Sequence, residues 1–180
     1  MAYKEIERVN FDDTRFIFAT NFSGDPKRDR FKDSRRKVNV IIPSEQQAKD
    51  LTKAGFKVRA TKPGQYDNPD EFVPEYYVLV QVKYRKDDGE PVKYPPDVYL
   101  VTEGNEPVKM TEETVGCLDH IRVRNVNCIA TVRDYIDKDG KPAKGLFART
   151  MYVEQDMMDD PYAARYRRTG EFAPPEDETW

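Results

Sequence analysis

Histidine, tryptophan and cysteine are almost missing: the 180 residues hold one, one and two of them. With only His120 beside Cys117 and Cys128, a four-ligand zinc site or a redox motif has too few N and S donors at the required spacing. A histidine-based acid–base dyad, a glycine-rich phosphate loop and a Gly-x-Ser-x-Gly turn are also absent. The acidic pairs Asp12-Asp13, Asp87-Asp88 and Asp159-Asp160 each fall in a predicted turn or tail, where solvated surface is the simpler reading than a nuclease metal site. These absences point to a non-catalytic chain with no cofactor and no metal. Long apolar runs are lacking too. No stretch of eighteen apolar residues and no apolar N-terminal segment occurs, so neither membrane insertion nor secretion is expected. The two cysteines are then expected to be reduced, buried thiols on or near strands, in the cytoplasm.

What the chain does hold is aromatic and charged. Eleven Tyr, nine Phe and thirteen Pro favour strands and shaped loops over a helix bundle. Apolar residues make up 38% and charged residues 35%, enough for one core because the apolar residues cluster in short runs. The net charge of −3 is unevenly spread. From Glu154 onward eight acids face three arginines, a net −5, which leaves the body at +2. A mildly basic body with an acidic end is an asymmetry that hints at nucleic-acid contact.

Hydrophobic periodicity supplies the elements. Residues 1–14 are polar and weakly patterned and read as a loosely attached arm, followed by one domain over 15–160 and a flexible acidic tail over 161–180. Arg15 to Thr20 is a first strand, with Phe16 and Phe18 on one face. Val38 to Ile42 is a second strand. Ser44 caps a helix from Glu45 to Ala54, with Gln47 completing a capping box and Gly55 ending it. Phe56 to Ala60 reads as a short strand, and Thr61 to Pro74 as a long loop. Glu75 to Arg85 alternates most clearly, with Tyr76, Val78, Val80, Val82 and Tyr84 on one face and Tyr77, Leu79, Gln81, Lys83 and Arg85 on the other. Asp97 to Val101 is a further strand and Thr111 to Val115 a single helical turn. Asp119 to Arg133 changes phase near Asn125, which predicts a β-bulge. Asp137 to Gly140 turns the chain into a last strand, Lys144 to Val153. About five main strands and one or two short helices give a mainly β fold, an OB-fold-like Greek-key barrel, with a jelly roll or open sandwich as the alternative.

Three constellations carry chemistry. The basic run Lys27, Arg28, Arg30, Lys32, Arg35, Arg36 and Lys37, with Phe31 in its middle, offers cations for phosphates and a flat ring for bases. A solvated charged loop would have the same composition. The outward row Tyr77, Gln81, Lys83 and Arg85 offers the same pairing on a sheet, against the bland reading of a wet sheet face. Arg122, Arg124 and Arg133 add cations on another strand. The end of the chain, with Phe172, Glu176, Asp177, Glu178 and Trp180, is an acidic segment finished by an aromatic. It suits either a phosphate mimic lying in a cationic groove or a short ligand for a partner's pocket, and a solubilising tail is the bland reading.

The segments Asn21-Phe22-Ser23-Gly24-Asp25-Pro26, Lys37-Val38-Asn39-Val40-Ile41-Ile42-Pro43, Tyr99-Leu100-Val101, Val115-Gly116-Cys117-Leu118-Asp119 and Thr150-Met151-Tyr152-Val153 resemble those of phage and prophage single-stranded-DNA-binding proteins. The likeness spans most of Asn21 to Tyr162. It implies an OB fold that coats exposed strands in DNA replication or recombination, and a tail that recruits replication or recombination proteins. On that reading Arg28, Arg30, Lys32, Arg35, Arg36, Lys37, Lys83, Arg85, Arg122 and Arg124 hold phosphates, and Phe31 and Tyr77 stack on bases. A homodimer is left open. The rival reading is a phage-encoded inhibitor of a host defence nuclease, anti-CRISPR-like, on the same scaffold; a virion assembly protein is a further one.

Overall fold

The computed structural model of the protein describes residues 7–156, and the tail residues Phe172 to Trp180 lie outside them. Strands dominate, and every strand belongs to one sheet. In chain order the elements are β1 (Arg8–Thr14), β2 (Phe16–Asn21), β3 (Lys37–Ile41), α1 (Glu45–Lys53), β4 (Arg59–Ala60), β5 (Tyr76–Gln81), β6 (Asp97–Val101), β7 (Val108–Met110), β8 (Val123–Ile136) and β9 (Pro142–Gln155). Two 3₁₀ segments, Pro26–Arg28 and Val115–His120, sit in connections. Among the described residues no helix is long and apolar enough to cross a membrane.

The sheet runs β1-β8-β9-β5-β3-β2, with β6 and β7 attached to β9 and β4 to β5. All pairings are antiparallel except those of β9 with β5 and with β6. The hydrogen-bonded path is open, but its two ends are consecutive pieces of chain. The backbone bends at Asp13, which has φ +49, and after Thr14 passes from β8 on one side to β3 on the other. The corner is pinned because Thr14 Oγ1 donates to Ile41 O at 2.6 Å and Ile41 N donates to Arg15 O at 3.0 Å. With β1 and β2 taken as one bent strand, the order and the parallel β5–β9 contact are those of an OB-type Greek-key barrel. The mainly β, OB-like fold therefore stands.

Alternation explains the core. Val78 and Val80 of β5 point inward beside Val38 and Val40 of β3, and Val126, Cys128 and Ala130 of β8 do the same. The phase change expected near Asn125 is present as a register shift between the Val123–Gln155 and Asn125–Glu154 pairs. A second shift separates Ile129 from Ala130, where β9 carries Arg149 as its extra residue. Helix α1 has Ser44 accepting from Gln47 N at 3.0 Å. It ends as Gly55 N reaches Thr52 O and Phe56 N reaches Leu51 O, with Gly55 at φ +97. That double bond is the Schellman cap, and it brings Leu51 and Phe56 together in the core.

Several expectations need correction. Residues 8–14 are no loose arm: β1 pairs with β8, and Val9 and Phe11 are buried. Burying Phe11 alone is worth about 2–3 kcal/mol, which a detached segment would forgo. The strand expected from Asp119 starts at Val123, because Val115–His120 is helical. Thr111 to Thr114 form only a turn before it, and β7 has no counterpart in the hydrophobic pattern. Phe18 does not share a face with Phe16; its φ of +63 sits in a bulge that adds residues to β2 between Ile17 and Asn21. Cys128 is buried, with burial pushing its thiol up to about 12, but Cys117 is exposed.

Candidate nucleic-acid interface

The basic run is folded upon itself. Pro26–Arg28 makes one 3₁₀ turn, started by the Asp25 carboxylate, which accepts from Lys27 N. Arg28 Nε donates to Thr20 O at 2.9 Å and lies 3.4 Å from Asp119. The Asp119 side chain is fully buried and also accepts from Thr20 Oγ1, Phe22 N and Ser23 N at 2.8–3.0 Å. It is the clamp that fixes the loop stem to the 3₁₀ helix Val115–His120. Further along, Lys37 Nζ lies between Asp29 at 3.1 Å and Asp33 at 3.3 Å, and Arg35 pairs with Asp33 at 2.5 Å. The Asp33 amide and the Lys37 ammonium hold the Asp29 carboxyl below its usual value. Partial burial raises the Asp33 carboxyl, but the Arg35 amide and guanidinium and the Lys37 ammonium outweigh it, and the net shift is downward.

Arg36 donates to Phe22 O at 2.7 Å and lies 5.5 Å above the Tyr84 ring. Burial pushes the Tyr84 hydroxyl up to about 12, against the opposing pull of Arg36. Arg28, Arg35, Arg36 and Lys37 are therefore engaged within the protein. What the loop presents outward is its tip: Arg30 stands 5.8 Å from the ring of Phe31, which is 82% exposed, and Lys32 follows at φ +56. Neither Arg30 nor Lys32 forms an ion pair among the described residues.

The second constellation lies on the outer face of the barrel and is larger than its sequence row. Tyr77 meets Phe18 edge-on at 5.2 Å, and Arg59 of β4 is its neighbour in register. Leu79 and Gln81 continue the row along β5, each step about 6.6 Å. Gln81 is paired with Phe147 of β9. Above the Phe147 ring stand Arg133 at 5.2 Å and Lys83 at 6.0 Å. A Cβ on Gly145 would meet Phe147 at 3.4 Å and Tyr135 at 3.5 Å, so these two rings close over bare backbone. Lys57 stands 5.8 Å from the Tyr135 ring. Phe18, Tyr77, Leu79, Phe147 and Tyr135 thus form one strip across the outer sheet, flanked by Arg59, Lys83, Arg133 and Lys57. The Lys83–Asp87 contact at 3.2 Å holds a fully exposed carboxylate, and exposed pairs are worth little. Such a strip can stack bases and neutralise phosphates along one path.

The remaining expected cations sit elsewhere. Arg85 pairs with Glu112 at 2.7 Å and donates to Gly89 O. Arg124 pairs with Glu154 at 3.2 Å, and the Arg122 carbonyl accepts from Asp156 N. Arg124 and Arg133 lie at opposite ends of β8, roughly 30 Å apart along the strand. Structure therefore brings Tyr77 and Lys83 to the strip and leaves Arg85, Arg122 and Arg124 off it. Phe18, Arg59, Tyr135 and Phe147 escaped sequence reading. One signal was available for Phe147: between inward Leu146 and Ala148, a large ring next to Gly145 had to face out. Among the described residues no group of three His, Cys, Asp or Glu side chains is placed to hold a metal ion.

No family model and no curated protein matches the chain. Among solved structures, a single-stranded DNA-binding protein from bacteriophage Enc34 is similar over 89% of this chain and 90% of its own, at 9% identity and a TM-score of 0.47. A C-terminal truncation of that protein is similar over 87% and 97%, at 10% identity and a TM-score of 0.46. The single-stranded DNA binding protein gp2.5 encoded by bacteriophage T7 is similar over 89% and 98%, at 12% identity and a TM-score of 0.38. Likenesses this distant carry no functional argument; the residues of the strip have to supply one.

Proposed function

We propose that the chain is a non-catalytic binder of single-stranded DNA, which lies along the strip from Phe18 to Tyr135. The observation that carries this reading is the Phe147 ring with Arg133 and Lys83 over it, joined through Gln81 to Leu79, Tyr77 and Phe18. A base stacked on such rings gains roughly 1–3 kcal/mol, and the flanking cations replace phosphate counterions. The loop tip Arg30, Phe31 and Lys32 is a second contact that folds over the same strand. The host-cell cytoplasm during phage DNA replication or recombination is the proposed setting. The acidic segment ending in Glu176, Asp177, Glu178 and Trp180 docks replication or recombination proteins and competes with DNA. Homodimers are compatible with this arrangement.

Fluorescence anisotropy with a labelled single strand of about thirty nucleotides and its duplex, at two salt concentrations, tests the reading. Tight, salt-sensitive binding to the single strand with weak binding to duplex is expected. Absence of binding at low salt overturns it and turns attention to a protein target, as an inhibitor of a host nuclease requires.

A further inference from the structure

Several arginines of this fold face carboxylates: Arg15 meets Glu75, Arg85 meets Glu112 and Arg124 meets Glu154. Three on neighbouring strands do not. Arg8 of β1 is paired in register with Thr131 of β8, and Thr131 with Phe147 of β9, so the three side chains share the outer face. Arg133 lies two residues past Thr131, and Arg149 two past Phe147, where alternation sets both on that face. The register shift beside Arg149 then returns Met151 and Val153 to the core. Among the described residues Arg8, Arg133 and Arg149 form no ion pair. Glu7 and Asp134, their sequence neighbours, alternate to the opposite face, and Asp12 is four residues from Arg8 along β1, roughly 13 Å. Between Arg8 and Phe147 stands only Thr131, a short side chain whose hydroxyl donates to Phe147 O at 3.4 Å. A shallow cationic trough therefore continues the strip beyond Phe147.

We infer that a single strand on the strip does not stop at Phe147 but turns across β9 and β8 onto β1, with Arg8 and Arg149 as two further phosphate contacts; the inference rests on the proposed single-strand binding. Neighbouring strands lie about 4.8 Å apart, so the Arg8 backbone is only about 10 Å from that of Phe147. A guanidinium that serves no carboxylate keeps its whole fork of donors for a phosphate, which it grips with two parallel hydrogen bonds. Each phosphate so held releases its counterion, and the release shows as a steeper fall of affinity with salt. Cations already paired with a carboxylate within the protein give no such release.

The test is anisotropy of the full chain with a single strand of about thirty nucleotides over a series of salt concentrations. The wild type is compared with Arg8→Gln, Arg149→Gln, the Arg8→Gln/Arg149→Gln double variant and Lys49→Gln/Lys109→Gln. The lysine pair removes the same charge, but from cations that face Glu45 and Asp97. The arginine double variant is expected to lower the salt slope by about 1.4, two contacts of about 0.7 each, and each single variant by about half of that. Its melting temperature is expected to stay that of the wild type, since both side chains are exposed. The lysine pair is expected to keep the wild-type slope. An unaltered slope for the arginine variants, or an equal fall for the lysine pair, overturns the inference and leaves single-strand binding standing. Failure of the wild type to bind the strand overturns the proposed function, and the inference with it.

Discussion

The loop 27–37 and the outer sheet face both carry cations and aromatic rings, yet they spend them differently. The loop holds seven bases, but Asp29 and Asp33 are spaced to meet Lys37 and Arg35, and Asp119 meets Arg28. Its charge is largely neutralised by the carboxylates that shape it. On the sheet, Arg133 of β8 and Lys83, two residues past the end of β5, converge on one ring, and Arg133 forms no ion pair among the described residues. A dense run of charge along a chain is thus a poor guide to charge available to a ligand. Availability depends on what the fold sets beside each group.

The harshest way to break the contrast is to release the loop. Asp119→Ala removes the carboxylate beside the Arg28 guanidinium and leaves the Thr20 hydroxyl and two backbone N–H groups without their acceptor. Urea unfolding should show a loss of about 3 kcal/mol, as for removal of one partner of a buried pair; a loss under about 1 kcal/mol would mean that the clamp is dispensable.

Next in size is the sheet itself. Phe147→Ala should raise the Kd for a single strand roughly ten- to a hundredfold, by about 1–3 kcal/mol, with little change in melting temperature. Arg133→Ala should also reduce the salt slope by about 0.7, the value of one phosphate contact on a single strand. Arg35→Ala, whose guanidinium already serves Asp33, should leave that slope unaltered. Equal slopes for the two variants would erase the distinction drawn between loop and sheet.

The gentlest probe is acid. Asp29 and Asp33 have native pKa values below the ordinary 3.8. Their contribution is present above 3.8 and lost as pH falls through the lowered native values. Hydrogen exchange followed from about pH 5 to about pH 2 should show the Asp33 and Arg35 amides losing protection below that point, before those of β5. Simultaneous loss in both regions would show that the loop has no acid-labile clamp of its own.

How much of this was legible beforehand depended on how local the cause was. The alternation from Tyr76 to Tyr84, the Ser44 cap, the Gly55 stop and the bulge near Asn125 are written within a few residues of where they act, and each is present. β1 was missed because two apolar residues in seven, Val9 and Phe11, make a weak pattern, and only the facing strand β8 gives them a core to enter. Tyr77 and Lys83 were legible because one alternating stretch of sequence carries both, although β5 itself ends at Gln81. Phe147 and Arg133 needed the pairing of β9 with β5 and with β8, which no local pattern states. That Arg85 would stand beside Glu112 and Arg124 beside Glu154 was likewise stated by no local pattern.

The bent strand β1–β2 has a consequence for how the chain comes to be folded. Asp13 N donates to Asn127 at 2.8 Å, 114 positions later. The first strand, β1, pairs with the next-to-last, β8, so this contact has the greatest loop-closure entropy to overcome and belongs to the slow, high-contact-order regime. On the ribosome, Val9 and Phe11 must wait in water until β8 has been made.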